Sequence, residues 1–272
     1  MSPYAKGIIA IVAAAGLAFG GWRAVVHRSS VAPALVTPNA NVELEFSNDV
    51  AARFYRVMHE LPTEDRSKRP RLIALTFDDG PYPVFTPMLL DVLHDLGVSA
   101  TFFLIGADAQ EWPDLTRRIE ADGNEIGDHT YSHPNLDQEA PDTVRKEILE
   151  GRDVLWTLSH DPAVRTLMRP PHGRYTERTL RIAQALGYSV VLWTDDGGDW
   201  RTLTVARLQR HLLENATAPE IVLLHSGKLA TIEALPYVVE RFKRAGYRFV
   251  TVGQLLKLVQ TDELNHPLRH AV

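Results

Sequence analysis

The sequence predicts a parallel α/β fold closed into a barrel, and three observations carry that reading. From residue 71 onward, seven short apolar runs alternate with segments of helical periodicity, the pattern of strands joined by crossover helices. Five of the seven runs have a charged or titratable residue at or just past their end, and α/β folds collect their ligands at the carboxyl ends of parallel strands. These endings are spread over most of the strands instead of gathering at one crevice, which favours a closed barrel over an open sheet.

The first run, residues 71–77, has Leu72-Ile73-Ala74-Leu75 at its heart and is stopped by Gly80-Pro81. Between them stand Asp78 and Asp79. Strand alternation sends two adjacent side chains in opposite directions, so one carboxylate can hold a metal while the other takes a proton. The same Asp-Asp-Gly-Pro string also makes a turn for purely local reasons, and the rest of the chain decides between the two. A helical pattern at 84–96 leads to the second run at 100–105, and another at 107–121 leads to the third at 124–128. Directly after it comes His129-Thr130-Tyr131-Ser132-His133-Pro134. Imidazoles four apart on one helical turn or tight loop face the same ion. With Asp79 they make two nitrogens and one oxygen, the open three-ligand set of a catalytic zinc or similar divalent ion.

Past a helical pattern at 143–158, the fourth run, 166–169, leads into Arg169-Pro170-Pro171-His172-Gly173. A helix at 177–186 precedes the fifth run, 188–194, which leads into Asp195-Asp196-Gly197-Gly198-Asp199-Trp200. A helix at 205–215 precedes the sixth, 221–225, which ends in His225-Ser226-Gly227. Helical patterns at 232–245 and 254–260 flank the seventh run, 247–252. No internal repeat or low-complexity tract interrupts the series.

In these motifs the chain resembles the polysaccharide deacetylases of the NodB-homology type, carbohydrate esterase family 4. Five strings carry the resemblance in order: Thr76 through Pro81, His129 through Pro134, Arg169 through Gly173, Asp196 through Trp200, and Leu223 through His225. Ala100-Thr101-Phe102-Phe103 and Gly123-Asn124-Glu125-Ile126-Gly127 agree as well. The resemblance implies a distorted (β/α)7 barrel over residues 71–260. It implies a divalent metal, zinc foremost with cobalt or nickel as alternatives, on Asp79, His129 and His133. Asp78 would be the general base, paired with Arg169. His225 would be the general acid, oriented by Asp199. Pro171, His172, Trp200 and Leu223 would line the substrate site, with the backbone near His172 helping to bind the oxyanion. The expected reaction removes N-acetyl groups from amino sugars of a cell-wall or extracellular polysaccharide. An O-acetyl esterase acting on a glycan such as xylan, and a non-catalytic glycan-binding descendant, are the alternatives. Two departures stand out. His172 replaces the aromatic that the family commonly has there, and Ser226 replaces an Asp, which puts the local hydrogen bonding of His225 in question.

Residues 7–22 are uncharged and rich in Ala, Gly and Ile, with Lys6 before them and Arg23 and Arg28 after. This suits a signal anchor or signal peptide within residues 1–28 and hence export, anchored on the periplasmic or exterior side or secreted. Residues 29–70 read as a stalk with a helix at 42–59 ahead of the barrel, and residues 261–272 read as a solvated tail, His266 and His270 included. The chain has 272 residues and no cysteine. Disulfides and thiolate metal ligands are therefore excluded, leaving oxygen and nitrogen donors. A net charge of -5 with no basic block argues against nucleic acid as a partner.

Overall fold

A computed structural model of the chain describes residues 70–201 and 204–265. The expected signal segment, the stalk with its helix, and His266 and His270 lie outside them. Among the described residues no helix is long and apolar enough to cross a membrane.

The elements alternate as expected: β1 (Leu72–Asp78), α1 (Phe85–Leu96), β2 (Thr101–Leu104), α2 (Gly106–Glu111), α3 (Pro113–Ala121), β3 (Glu125–Asp128), α4 (Pro141–Ser159), β4 (Leu167–Met168), α5 (Glu177–Ala185), β5 (Ser189–Val190), β6 (Asp195–Asp196), α6 (Val205–Glu214), β7 (Glu220–His225), α7 (Leu229–Arg244), β8 (Arg248–Phe249) and α8 (Val252–Asn265). Every strand pairing is parallel, in the order β5-β4-β3-β2-β1-β7-β6. β7 occupies one edge of β1 from Ile73 to Asp78. The other edge is divided, with β8 against Leu72 and Ile73 and β2 against Thr76 to Asp78.

The period of two in β1 explains why all seven of its residues are buried, as befits a parallel strand covered on both faces. Ile73, Leu75 and Phe77 pack with Leu89, Leu90 and Leu93 of α1, Leu208 and Leu212 of α6, and Val238 and Phe242 of α7. Leu72 and Ala74 face the other way and pack with Phe103, Leu192, Trp193, Ile221 and Leu223. The inner face of β1 therefore reads Leu72, Ala74, Thr76, Asp78, and that of β7 reads Ile221, Leu223, His225. Both stacks begin apolar and end in chemistry.

Three expectations are corrected. The run at 188–194 is not one strand. Only Ser189 and Val190 pair with β4, pairing resumes with β7 at Asp195, and the residues between cross from one end of the strand order to the other. The helix expected at 107–121 is two, broken at Trp112 (φ -121, ψ 62) before Pro113, since a residue ahead of proline is driven out of the helical region. Residues 261–265, expected to begin a tail, continue the backbone of α8.

Candidate active site

The strongest local departure from strand geometry comes where β1 ends. Alternation sends Asp79 outward, yet Asp79 has φ 67 and Gly80 φ 73. That left-handed turn swings Asp79 back, so the two carboxylates do not diverge. Asp78 Oδ2 lies 3.8 Å and Asp79 Oδ1 3.7 Å from the same nitrogen, His129 Nε2. A glycine is required next, because a Cβ on Gly80 would stand 2.8 Å from Ser226 Oγ.

The loop carrying the histidines is built just as tightly. Asp128 Oδ1 accepts from Thr130 N at 2.8 Å, and Thr130 Oγ1 accepts from His133 N at 3.2 Å. Glu147 of α4 accepts from both the hydroxyl and the backbone N–H of Ser132, at 2.7 and 2.8 Å. Thr130 and His133 have φ of 69 and 61, a strained conformation for side-chain-bearing residues. α4 comes close enough to support this loop because position 151 is glycine: a Cβ there would lie 2.6 Å from Asp128 Oδ1.

His129 is buried, and its Nδ1 lies 2.7 Å from the carbonyl of Arg169. A carbonyl only accepts, so Nδ1 carries the proton and Nε2 offers its lone pair to the acids. Burial pushes this imidazole down to about 3, with Asp79 opposing, which holds it neutral. His133 Nε2 is 3.3 Å from Asp79 Oδ1. One ligand atom each from Asp79, His129 and His133 falls within 4.8 Å of the others. A neutral imidazole with a fixed tautomer, a second imidazole and a carboxylate fit a divalent cation of the zinc type.

Arg169 is fully buried and all three nitrogens of its fork donate. Nη1 donates to Asp78 Oδ1 at 2.6 Å and Thr76 Oγ1 at 2.8 Å, Nε to Val191 O at 3.1 Å, and Nη2 to Leu192 O at 2.9 Å. The guanidinium also lies 4.2 Å over the Phe103 ring. Val191 and Leu192 belong to the crossing between β5 and β6, so the same side chain grips the acid and bonds the seam of the sheet. Burial drives the Asp78 carboxyl upward, and Arg169, His225 and His133 oppose this without cancelling it.

On the neighbouring strand, His225 is the register partner of Asp78. Its Nδ1 lies 2.7 Å from Asp199 Oδ1, while Asp199 Oδ2 accepts from His225 N at 2.8 Å and Thr231 Oγ1 at 2.6 Å. Burial pulls the ring's pKa down, but the hydrogen bond and charge of Asp199, then Asp78 and Asp79, outweigh it and the net shift is upward. Ser226 leaves this arrangement untouched, its hydroxyl being directed at the carbonyls of Asp78 and Asp79. Trp200 is 48% exposed and is held at its indole nitrogen by Asp196, 3.3 Å away, with Arg201 over its ring. His172 is exposed, with φ 57, and packs edge-on against His133 at 4.5 Å between centroids. Pro171 and Leu223, expected at the substrate site, are buried, Leu223 within the inner cluster.

Reading the sequence missed Glu147, Thr231 and Asp196 as supports. Glu147 lies inside the helical pattern at 143–158 and Thr231 one residue ahead of the pattern at 232–245, neither with a local signal, whereas Asp196 stands in the string from Asp195 to Trp200 without an assigned role.

A family model described as polysaccharide deacetylase matches residues 65–191. The chain is 36% identical over 206 residues to a peptidoglycan-N-acetylglucosamine deacetylase of Bacillus cereus, an alignment covering 74% of this chain and 93% of that one. It is 33% identical over 189 residues to a chitooligosaccharide deacetylase of Azorhizobium caulinodans, covering 64% and 90% respectively. Among solved structures, the Bc1960 peptidoglycan N-acetylglucosamine deacetylase is similar at a TM-score of 0.66 and 35% identity, over 68% of this chain and 87% of that one.

Proposed function

We propose, on the premise that this chain belongs to the polysaccharide deacetylase family, that it is a metal-dependent hydrolase removing N-acetyl groups from amino sugars of a cell-wall or extracellular polysaccharide of the peptidoglycan or chitin type. One observation supports this reading above the rest. A carboxyl and an imidazole, Asp78 gripped by Arg169 and His225 gripped by Asp199, end adjacent strands in register beside the Asp79, His129 and His133 group. A binding module has no need for that pairing. We further read the parallel sheet as a distorted (β/α)7 barrel and residues 71–260 as the catalytic domain. The basic-flanked apolar run at 7–22 supports export, as a membrane anchor or a cleaved signal.

In this reading Asp79, His129 and His133 hold the metal, which when bound supplies Lewis-acid polarisation to the acetamide carbonyl. Asp78 Oδ1 is committed to Arg169, so Oδ2 is the oxygen that takes a proton from the attacking water as it adds to the acetyl carbon. Asp199 holds the Nδ1 proton of His225, so Nε2 delivers the proton to the departing amine. The C–N bond breaks, and acetate and a free amino sugar leave. Trp200 presents its exposed ring to the sugar.

The test is acetate release from N-acetylglucosamine oligomers and peptidoglycan set against acetyl-xylan, with zinc content measured on the same samples. Asp78→Asn should retain zinc and lose about 10² to 10⁴ in rate, whereas Asp79→Asn should lose zinc. Release from acetyl-xylan alone would assign an esterase. Stoichiometric zinc with no release from any glycan would assign a binding role.

A further inference from the structure

The two carboxylates face one nitrogen only because the chain turns left-handed at Asp79, and Ser226 sits against that turn. It is fully buried. Its N–H donates to Asp78 O at 3.1 Å, the last backbone bond between the β1 and β7 segments. Its hydroxyl then reaches Asp78 O at 3.2 Å and Asp79 O at 3.1 Å. A hydroxyl has one proton, shared here between two carbonyls on either side of the turn. Asp79 is already past the strand, so this side chain carries the cross-strand tie one residue beyond where the backbone ladder stops. Gly80 leaves it room, since any Cβ there would press on Ser226 Oγ.

We propose that Ser226 is a positioning residue that holds the left-handed turn at Asp79 and thereby sets the approach of the Asp79 carboxylate to His129 and His133. This rests on the proposed assignment of those three residues to a metal. Ser226 touches no reacting atom. It acts through the peptide on either side of Asp79, and without the hydroxyl Asp79 (φ 67) can relax toward an ordinary conformation that turns its carboxylate away.

The experiment compares Ser226→Ala and Ser226→Thr with the parent in three measurements: zinc affinity by chelator competition, the visible absorption of the cobalt-substituted proteins, and thermal unfolding of the zinc-free proteins. Removing a group that orients a metal ligand typically weakens metal binding about 10- to 100-fold. Ser226→Ala should show that loss together with an altered cobalt spectrum, while its zinc-free form unfolds within a few degrees of the parent. Ser226→Thr, which keeps the hydroxyl, should recover the parental spectrum and affinity. Zinc affinity and cobalt spectrum of Ser226→Ala indistinguishable from the parent would overturn the proposal. So would a large drop in the zinc-free unfolding temperature with unchanged zinc affinity in the protein that remains folded, which would mark Ser226 as structural only. These readouts need no glycan, so a failure of deacetylation in the parent would sink the functional reading and leave this one to be judged separately.

Discussion

Arg169→Met tests whether the buried guanidinium supports both the acid and the sheet. The side chains of Arg169 and Asp78 are 0% and 7% exposed, so the substitution strands a buried carboxylate. Leaving one partner of a buried pair uncompensated costs about 3–5 kcal/mol. The carbonyls of Val191 and Leu192 also lose their donors, at about 1–3 kcal/mol each. The total, roughly 5–11 kcal/mol, is comparable with the whole stability of a domain, about 5–15 kcal/mol. Adding Asp78→Asn removes the stranded charge and should return about 3 kcal/mol. The double variant should then be more stable than the single one, although it carries more changes. The pH dependence separates them further. Without Arg169, burial acts on Asp78 less opposed and raises its pKa further above the ordinary 3.8. The folded single variant then keeps a proton that the unfolded chain has released, so it loses stability as pH rises above about 4, until the raised pKa is passed. The double variant has no such slope. Urea unfolding of the metal-free proteins, at pH 5 and pH 8 with the m value checked for constancy, reads both effects. Equal midpoints for the two variants at both pH values would show that Asp78 does not depend on the charge of Arg169.

Three further outcomes are expected. Asp199→Asn removes the partner that raises the His225 pKa, so the alkaline limb of kcat/KM should move to lower pH, and turnover should fall more on an N-acetyl amino sugar than on an activated acetyl ester, whose leaving group departs without a proton; equal losses would leave the proton donor unassigned. Glu220 is pushed up to about 8, chiefly by burial and then by Asp195, so the folded state holds its proton between the unfolded value of 4.5 and about 8, and stability should fall across that window as pH rises; Glu220→Gln should flatten the slope in thermal unfolding measured from pH 5 to pH 9. Deletion of residues 1–28 should release a soluble enzyme, whereas full-length protein found free in the cytoplasm on fractionation would refute export.

The strand ends were legible because their signals are local strings. Asp78-Asp79-Gly80-Pro81 and His129 through His133 declare their chemistry within six residues, and the apolar cores of β1 and β7 are long enough to be unambiguous. The seam was not legible. Residues 188–194 have the composition of a strand, but the carbonyls of Val191 and Leu192 bond to Arg169, 22 and 23 positions away, and no window of sequence contains that contact. The orientation of Asp79 was misread for a different reason: strand alternation holds only while the backbone stays extended, and it fails at a left-handed residue. Ser226 and Thr231 act through single hydroxyls that any serine or threonine carries, so only their places in the fold distinguish them.

The left-handed residues also bear on how such a site persists. Five non-glycine residues among those described have this conformation, and Asp79, Thr130, His133 and His172 belong to or flank the candidate metal group, His160 being the fifth. Each carries a penalty of roughly 1–2 kcal/mol relative to an ordinary backbone, and glycine would relieve it. Selection for robustness alone therefore pulls against this site at four positions at once, and only continued demand for its chemistry keeps them. A lineage freed from that demand should drift first here, with glycine or asparagine entering at the turns while the apolar stacks beneath stay as they are. Stabilisation programmes that rank substitutions by melting temperature will meet the same gradient, and these four positions are the ones to hold fixed.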